Sequence, residues 1–178
     1  MKTFENRLIR DALERRTETK RKDPLFNQSM LAHAQRGFCG VGLEGRQTTA
    51  NLGSVMRAAA CFGSNFVAVH PGRLRHSRTD TQKGFRHIPL FQAEDLLALV
   101  PFGCEAVGVE VSDRAEDLTT FEHPQQAFYL FGPEGGSLSE RVQDQCSRIV
   151  QMPTADCLNL SMAVNVLLYD RLLKNMRR

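Results

Sequence analysis

Apolar and polar positions alternate along the chain in blocks that predict strands and helices in turn. FCGVGL at 38–43 is a short apolar run and predicts a buried strand. A helix follows at about 50–62, with Val55, Met56, Ala59 and Phe62 on one face. NFVAVH at 65–70 predicts the next strand, closed by Pro71-Gly72. The pattern then gives a short helix at 93–100 and strands at 105–111 (EAVGVEV) and 127–131 (AFYLF). A helix at 137–146, a strand at 148–152 and a helix at 158–175 complete the chain. Upstream, 4–20 predicts a polar helix with few apolar anchors, ended by Asp23-Pro24. Short apolar strands alternating with helices predict an α/β fold, a mostly parallel sheet flanked by helices. The last helix carries Leu160, Val164, Leu167, Leu168 and Leu172 on a wide apolar arc, with Met162 and Val166 on other sides. A central core helix and a helix shared with a second subunit both account for that pattern.

Composition narrows the class. The 178 residues are 42% hydrophobic and 24% charged, which fits one domain with a short extension. The expected division is a basic helical extension over 1–35 and a main domain over 36–178. No apolar run approaches the ~18 residues that span a bilayer, and the charged start lacks the apolar core of a secretory signal. Five cysteines (39, 61, 104, 146 and 157) with no CxxC argue against a disulfide framework or zinc knuckle and for a reducing cytoplasm. No metal-ligand spacing appears among the His and Cys residues, so no metal is expected.

Net charge is +3, and its distribution is uneven: +3 over 1–23, −3 over 24–169 and +3 over 170–178. Within the body, 73–87 (RLRHSRTDTQKGFRH) holds five Lys/Arg, two His and one Asp. That stretch reads either as a solvated loop or as a surface that meets phosphates. With no Trp and two Tyr, any base stacking would fall to the phenylalanines.

Ligands of parallel α/β sheets bind at the carboxyl ends of the strands, and three strand–loop junctions here stand out. The first is Asn51-Leu52-Gly53-Ser54-Val55-Met56-Arg57, which also reads as a helix capped by Asn51 with one solvent-facing arginine. The second is Phe131-Gly132-Pro133-Glu134-Gly135-Gly136, a tight loop with exposed backbone after an apolar strand. It is neither GxGxxG nor a P-loop, which disfavours a dinucleotide-binding oxidoreductase. The third is Met152-Pro153-Thr154-Ala155-Asp156-Cys157-Leu158-Asn159-Leu160-Ser161, where Asn159 or Ser161 also suits a helix cap.

Together and in this order, the three resemble the signature of SpoU-class (TrmH-like) RNA 2′-O-ribose methyltransferases of the SPOUT superfamily. The resemblance covers about residues 38–175. It implies a C-terminal trefoil knot, S-adenosylmethionine as cofactor, an RNA substrate and a homodimer with the active site near the subunit interface. Members without an added recognition domain act more often on tRNA than on rRNA. By position, Arg57 is implied as the catalytic arginine, held by Asn51 and supported by Glu134 and Asn159. Val109, Gly132, Met152, Cys157 and Leu158 fall where the methyl donor is held. Cys157 stands where the family has serine, and only residues 154–157 separate Pro153 from Leu158, a shorter loop than usual there. A thiol is the weaker hydrogen-bonding group, which keeps open a related reading as a knotted RNA-binding protein without catalysis. Arginine is charged in nearly every setting. Arg57 would therefore act either as a desolvated base or as a charged clamp on the developing alkoxide.

Overall fold

The computed structural model describes residues 37–72, 78–81 and 83–176, all within the unit Gly37–Arg178. The helix expected over 4–20, residues 73–77 of the basic stretch and the Arg177-Arg178 tail lie outside the described residues. Those described form one seven-stranded sheet: β1 (Phe38–Leu43), β2 (Phe66–Val69), β3 (Leu90–Gln92), β4 (Glu105–Val109), β5 (Glu116–Asp117), β6 (Gln126–Phe131) and β7 (Arg148–Gln151). The spatial order is β3-β2-β1-β6-β4-β7-β5, and every pairing is parallel. Among the described residues three α-helices accompany it: α1 (Thr49–Phe62), α2 (Glu140–Gln145) and α3 (Leu160–Asn175).

The centre of the sheet is β6, paired with β1 on one side and β4 on the other. Its apolar run is unbroken because both faces are covered. Tyr129 and Phe131 point into a core shared with Val55 and Met56 of α1 and Val164 and Leu167 of α3. Phe128 and Leu130 point to the opposite core, with Phe66, Leu138 and Val142. The two-residue period of a strand thus divides one apolar segment between two cores.

The end of α3 is held by a buried polar network. Arg171, only 6% exposed, donates to the carbonyls of Pro124 and Gln125 and, at 3.0 Å, to the Tyr129 hydroxyl. His123 sits between Tyr129 (2.7 Å) and Asp170 (2.9 Å), and Lys174 pairs with Asp170 at 2.7 Å. α3 is thereby tied to the start of β6.

Several expected elements differ in extent. The helix expected at 93–100 is only a 3-10 turn at Leu97–Leu99, started by the Asp95 side chain accepting from the Leu97 amide and followed by Pro101. The strand expected to run to 111 stops at Val109, because the Glu110 carboxylate turns back to accept from the Val111 amide at 3.0 Å. α2 is shorter than 137–146 since Ser139 caps it, and α3 begins at Leu160 under the Asn159 cap. Asn51 is not the cap of α1. Thr48 is, and its hydroxyl accepts from the Asn51 amide. The edge strands β3 and β5 and the 3-10 turn Gly84–Arg86 were not expected.

Candidate active site

The carboxyl ends of β4, β6 and β7 open into a cleft of about 490 Å³, a size usual for small-molecule sites. Val109 and Glu110 follow from β4, Phe131 and Gly132 from β6, Gln151 and Met152 from β7; Cys157 and Leu158 form part of the rim. All five positions expected to hold a methyl donor line this one cleft, together with Glu134 and Asn159. Cys157 is exposed there. The short loop before it closes on itself, the Thr154 hydroxyl donating to the Asp156 carbonyl at 2.8 Å.

The loop after β6 is folded against its own origin. A Cβ at Gly132 would lie 2.5 Å from the Leu138 nitrogen and 2.7 Å from the Ser137 carbonyl carbon, both backbone atoms. Only glycine fits. Two carboxylates on flanking strands hold the far end of the loop. Glu110 accepts from the Leu138 amide at 2.6 Å, and Glu44, just past β1, accepts from the Ser139 amide at 2.7 Å and its hydroxyl at 2.6 Å. Both glutamates lie outside the three sequence motifs. The available signal was their position as the first carboxylate after an apolar strand.

Arg57 lies elsewhere, exposed on the outer face of α1 in a groove of about 540 Å³ shared with Thr79, Thr81, Ser161 and Asn165. Among the described residues it makes no hydrogen bond or ion pair. The far wall is docked on α1 by the Thr79 hydroxyl, which donates to the Ala50 carbonyl at 2.7 Å. Beside it, the Asp80 carboxylate accepts from the Gly84 amide at 2.7 Å.

The N-terminus of α3 joins cleft and groove. Asn159, on the cleft, donates from Nδ2 to Asn51 Oδ1 at 3.1 Å. Its own Oδ1 accepts from the Ser161 amide at 3.0 Å and the Ser161 hydroxyl at 2.7 Å. Ser161 faces the groove that contains Arg57. Asn51 is buried at 6% exposure, and its Nδ2 has no partner. The structure therefore brings Asn51 and Asn159 into direct contact, sets Glu134 on the same cleft as Asn159, and places Arg57 on the neighbouring surface. Asn51 bonds Asn159 rather than Arg57. Among the described residues no group of three or more His, Cys, Asp or Glu is placed to hold a metal.

An all-parallel open sheet with a glycine-bounded cleft at its carboxyl edge defines an α/β ligand-binding protein of the type that places its chemistry at strand ends. Within that class, the chain belongs to the SpoU rRNA Methylase family, whose model matches residues 40–169. The Bacillus subtilis (strain 168) protein YacO, assigned to the TrmH family of tRNA/rRNA methyltransferases, is 28% identical over 131 residues, 67% of this chain and 52% of YacO. The chain thus spans about half the length of such relatives. Among solved structures, the A. aeolicus TrmH/SpoU tRNA modifying enzyme superposes with a TM-score of 0.71 at 14% identity, over 92% of this chain and 84% of that one. The SpoU methyltransferase AviRb from Streptomyces viridochromogenes, in complex with AdoMet, gives 0.70 at 18% identity, over 80% and 62%. A structure described as giving insight into the 2-OH methylation of C/U34 on tRNA gives 0.65 at 24% identity, over 78% and 91%.

Proposed function

We propose that the protein is an S-adenosylmethionine-dependent methyltransferase acting on a ribose 2′-hydroxyl of RNA, with tRNA as the favoured substrate. The observation that carries this reading is the Asn51–Asn159–Ser161 chain, which links a small-molecule cleft to a groove holding an exposed arginine. The residues suit the cofactor. The cleft offers loop backbone around Gly132, carboxylates for a cationic sulfonium, and the apolar sides of Val109, Met152 and Leu158 for a nucleoside. When bound, the donor supplies an activated methyl group.

The chain's own work is alignment and charge control. Gly132 lets the loop fold tightly enough to define the cleft floor. Asn159 fixes the start of α3 and, through Asn51, the first turn of α1, two turns before Arg57 on the same helix. Holding acceptor and donor in line accounts for much of such a rate. Arg57 is solvent-exposed, which favours a charged clamp on the developing 2′-alkoxide over a desolvated base.

The choice of tRNA is supported by two structures of tRNA-related proteins that share this fold over most of their length. The same reading includes the trefoil knot formed by the segment leading into α3, a homodimer, and a cytoplasmic setting that suits five free thiols. The deciding experiment incubates the protein with labelled donor and either unfractionated tRNA or rRNA, then digests the RNA to nucleosides. A labelled 2′-O-methyl nucleoside from tRNA is expected. Label from rRNA alone would change the substrate, and base-methylated product would overturn the reaction.

A further inference from the structure

We propose that Glu110 gives the cleft a charge preference for the methyl donor over its demethylated product, so that transfer itself loosens the cleft's hold. The inference rests on the cofactor reading above and deepens it. Two carboxylates, Glu110 and Glu134, line the cleft, and no Lys, Arg or His does among the described residues. Glu110 is fixed rather than mobile. Its Oε1 accepts from the Val111 amide at 3.0 Å and its Oε2 from the Leu138 amide at 2.6 Å. These partners are neutral, and no described cation forms an ion pair with it. Its negative charge is therefore held at the end of β4, where two amide N–H groups and, among the described residues, no ion-paired cation offset it.

Methyl transfer changes the charge of what occupies the cleft. The S–CH3 bond breaks with its electron pair left on sulfur, an O–CH3 bond forms at the ribose oxygen, and the hydroxyl proton passes to solvent. A sulfonium with one ammonium and one carboxylate becomes a neutral thioether with the same two groups. The occupant loses one positive charge, and everything else it offers the cleft is nearly unchanged. A fixed carboxylate in a partly closed cleft discriminates between two such occupants by about three- to tenfold, and salt weakens the effect.

The test is calorimetric binding of S-adenosylmethionine and S-adenosylhomocysteine to the parent protein, to Glu110→Gln and to Glu110→Asp, at low salt and at high salt. Glutamine keeps an acceptor for the Leu138 amide and removes the charge. The ratio of donor to product affinity is expected to fall by about three- to tenfold in Glu110→Gln, mainly through weaker donor binding, and to be retained in Glu110→Asp. Added salt should compress the ratio in the parent, and compress it less in Glu110→Gln, where only the Glu134 carboxylate remains. Glu134→Gln should move the ratio the same way without touching the Leu138 contact, which keeps the test open should Glu110→Gln not fold. A purely structural Glu110 would weaken both ligands equally. An unchanged ratio in a folded Glu110→Gln, whatever Glu134→Gln shows, or a salt-independent parent ratio, overturns the proposal; should Glu110→Gln not fold, an unchanged ratio in Glu134→Gln overturns it. If the parent binds neither molecule, the cofactor reading fails instead.

Discussion

At the scale of single residues, His123 shows how burial selects a protonation state. It is 2% exposed, and burial pushes its pKa down to about 4, against the opposing pull of the Asp170 carboxylate. The contacts agree with a neutral ring. Asp170 accepts from Nε2–H, which leaves Nδ1 to accept from the Tyr129 hydroxyl, while that hydroxyl's oxygen accepts from Arg171. A second ring proton would set two donors against each other at 2.7 Å. Because the folded pKa lies below the ordinary value of 6.5, the unfolded chain binds the proton first as pH falls. Stability should therefore drop between about pH 6.5 and 4, by on the order of 3 kcal/mol across the window. Urea denaturation at several pH values should show this slope in the parent and a shallower one in His123→Gln. Equal slopes would show that His123 does not set the acid sensitivity.

At the scale of elements, the loop joining β6 to α2 is the most demanding piece of backbone in the cleft. Gly132→Ala puts a methyl group against backbone atoms that have no rotamer to yield. It should cost about 1–3 kcal/mol of stability and weaken donor binding by more than about tenfold if the loop shifts by even a fraction of an ångström. Denaturation and calorimetry on the same variant read both effects; unchanged donor affinity would show that the loop does not shape the cleft. The strands that build this region were legible because they are buried: β1, β4, β6 and β7 are apolar runs ending at polar or glycine-rich residues. The edges were not. β3 is three residues long after Pro89, and β5 is an acidic pair, Glu116-Asp117, held by β7 through the backbone ladder and the ion pair of Glu116 with Arg148. Neither carries the apolar alternation that marks a strand. The motif residues were found by type and spacing. The Asn51–Asn159 bond, spanning 108 positions, and the two glutamates holding Leu138 and Ser139 exist only once the sheet has brought β1, β4 and β6 side by side.

At the scale of the whole molecule, α3 has two apolar sides. Val164, Leu167 and Leu168 are buried in the core, while Met162, Val166 and Tyr169 stand 58%, 44% and 54% exposed along the opposite side. That spacing makes one continuous stripe. The proposed homodimer would cover it, adjacent to the groove that Ser161 and Asn165 share with Arg57. Sedimentation at micromolar concentration should give twice the 20.0 kDa chain mass, and Val166→Asp should shift it toward one chain by placing a charge in the contact. A parent that sediments as a single chain would contradict the dimer. In the proposed reaction, the Arg57 groove and the cleft lined by Gly132 are the two halves of one site. Single-turnover methyl transfer to tRNA by Arg57→Ala, with donor affinity measured on the same preparation, tests it most directly. Donor binding close to the parent's and a rate lower by about 10²–10³ are expected. Transfer faster than roughly a tenth of the parent rate, far above what loss of such a contact leaves, would make Arg57 a surface residue and separate the two halves.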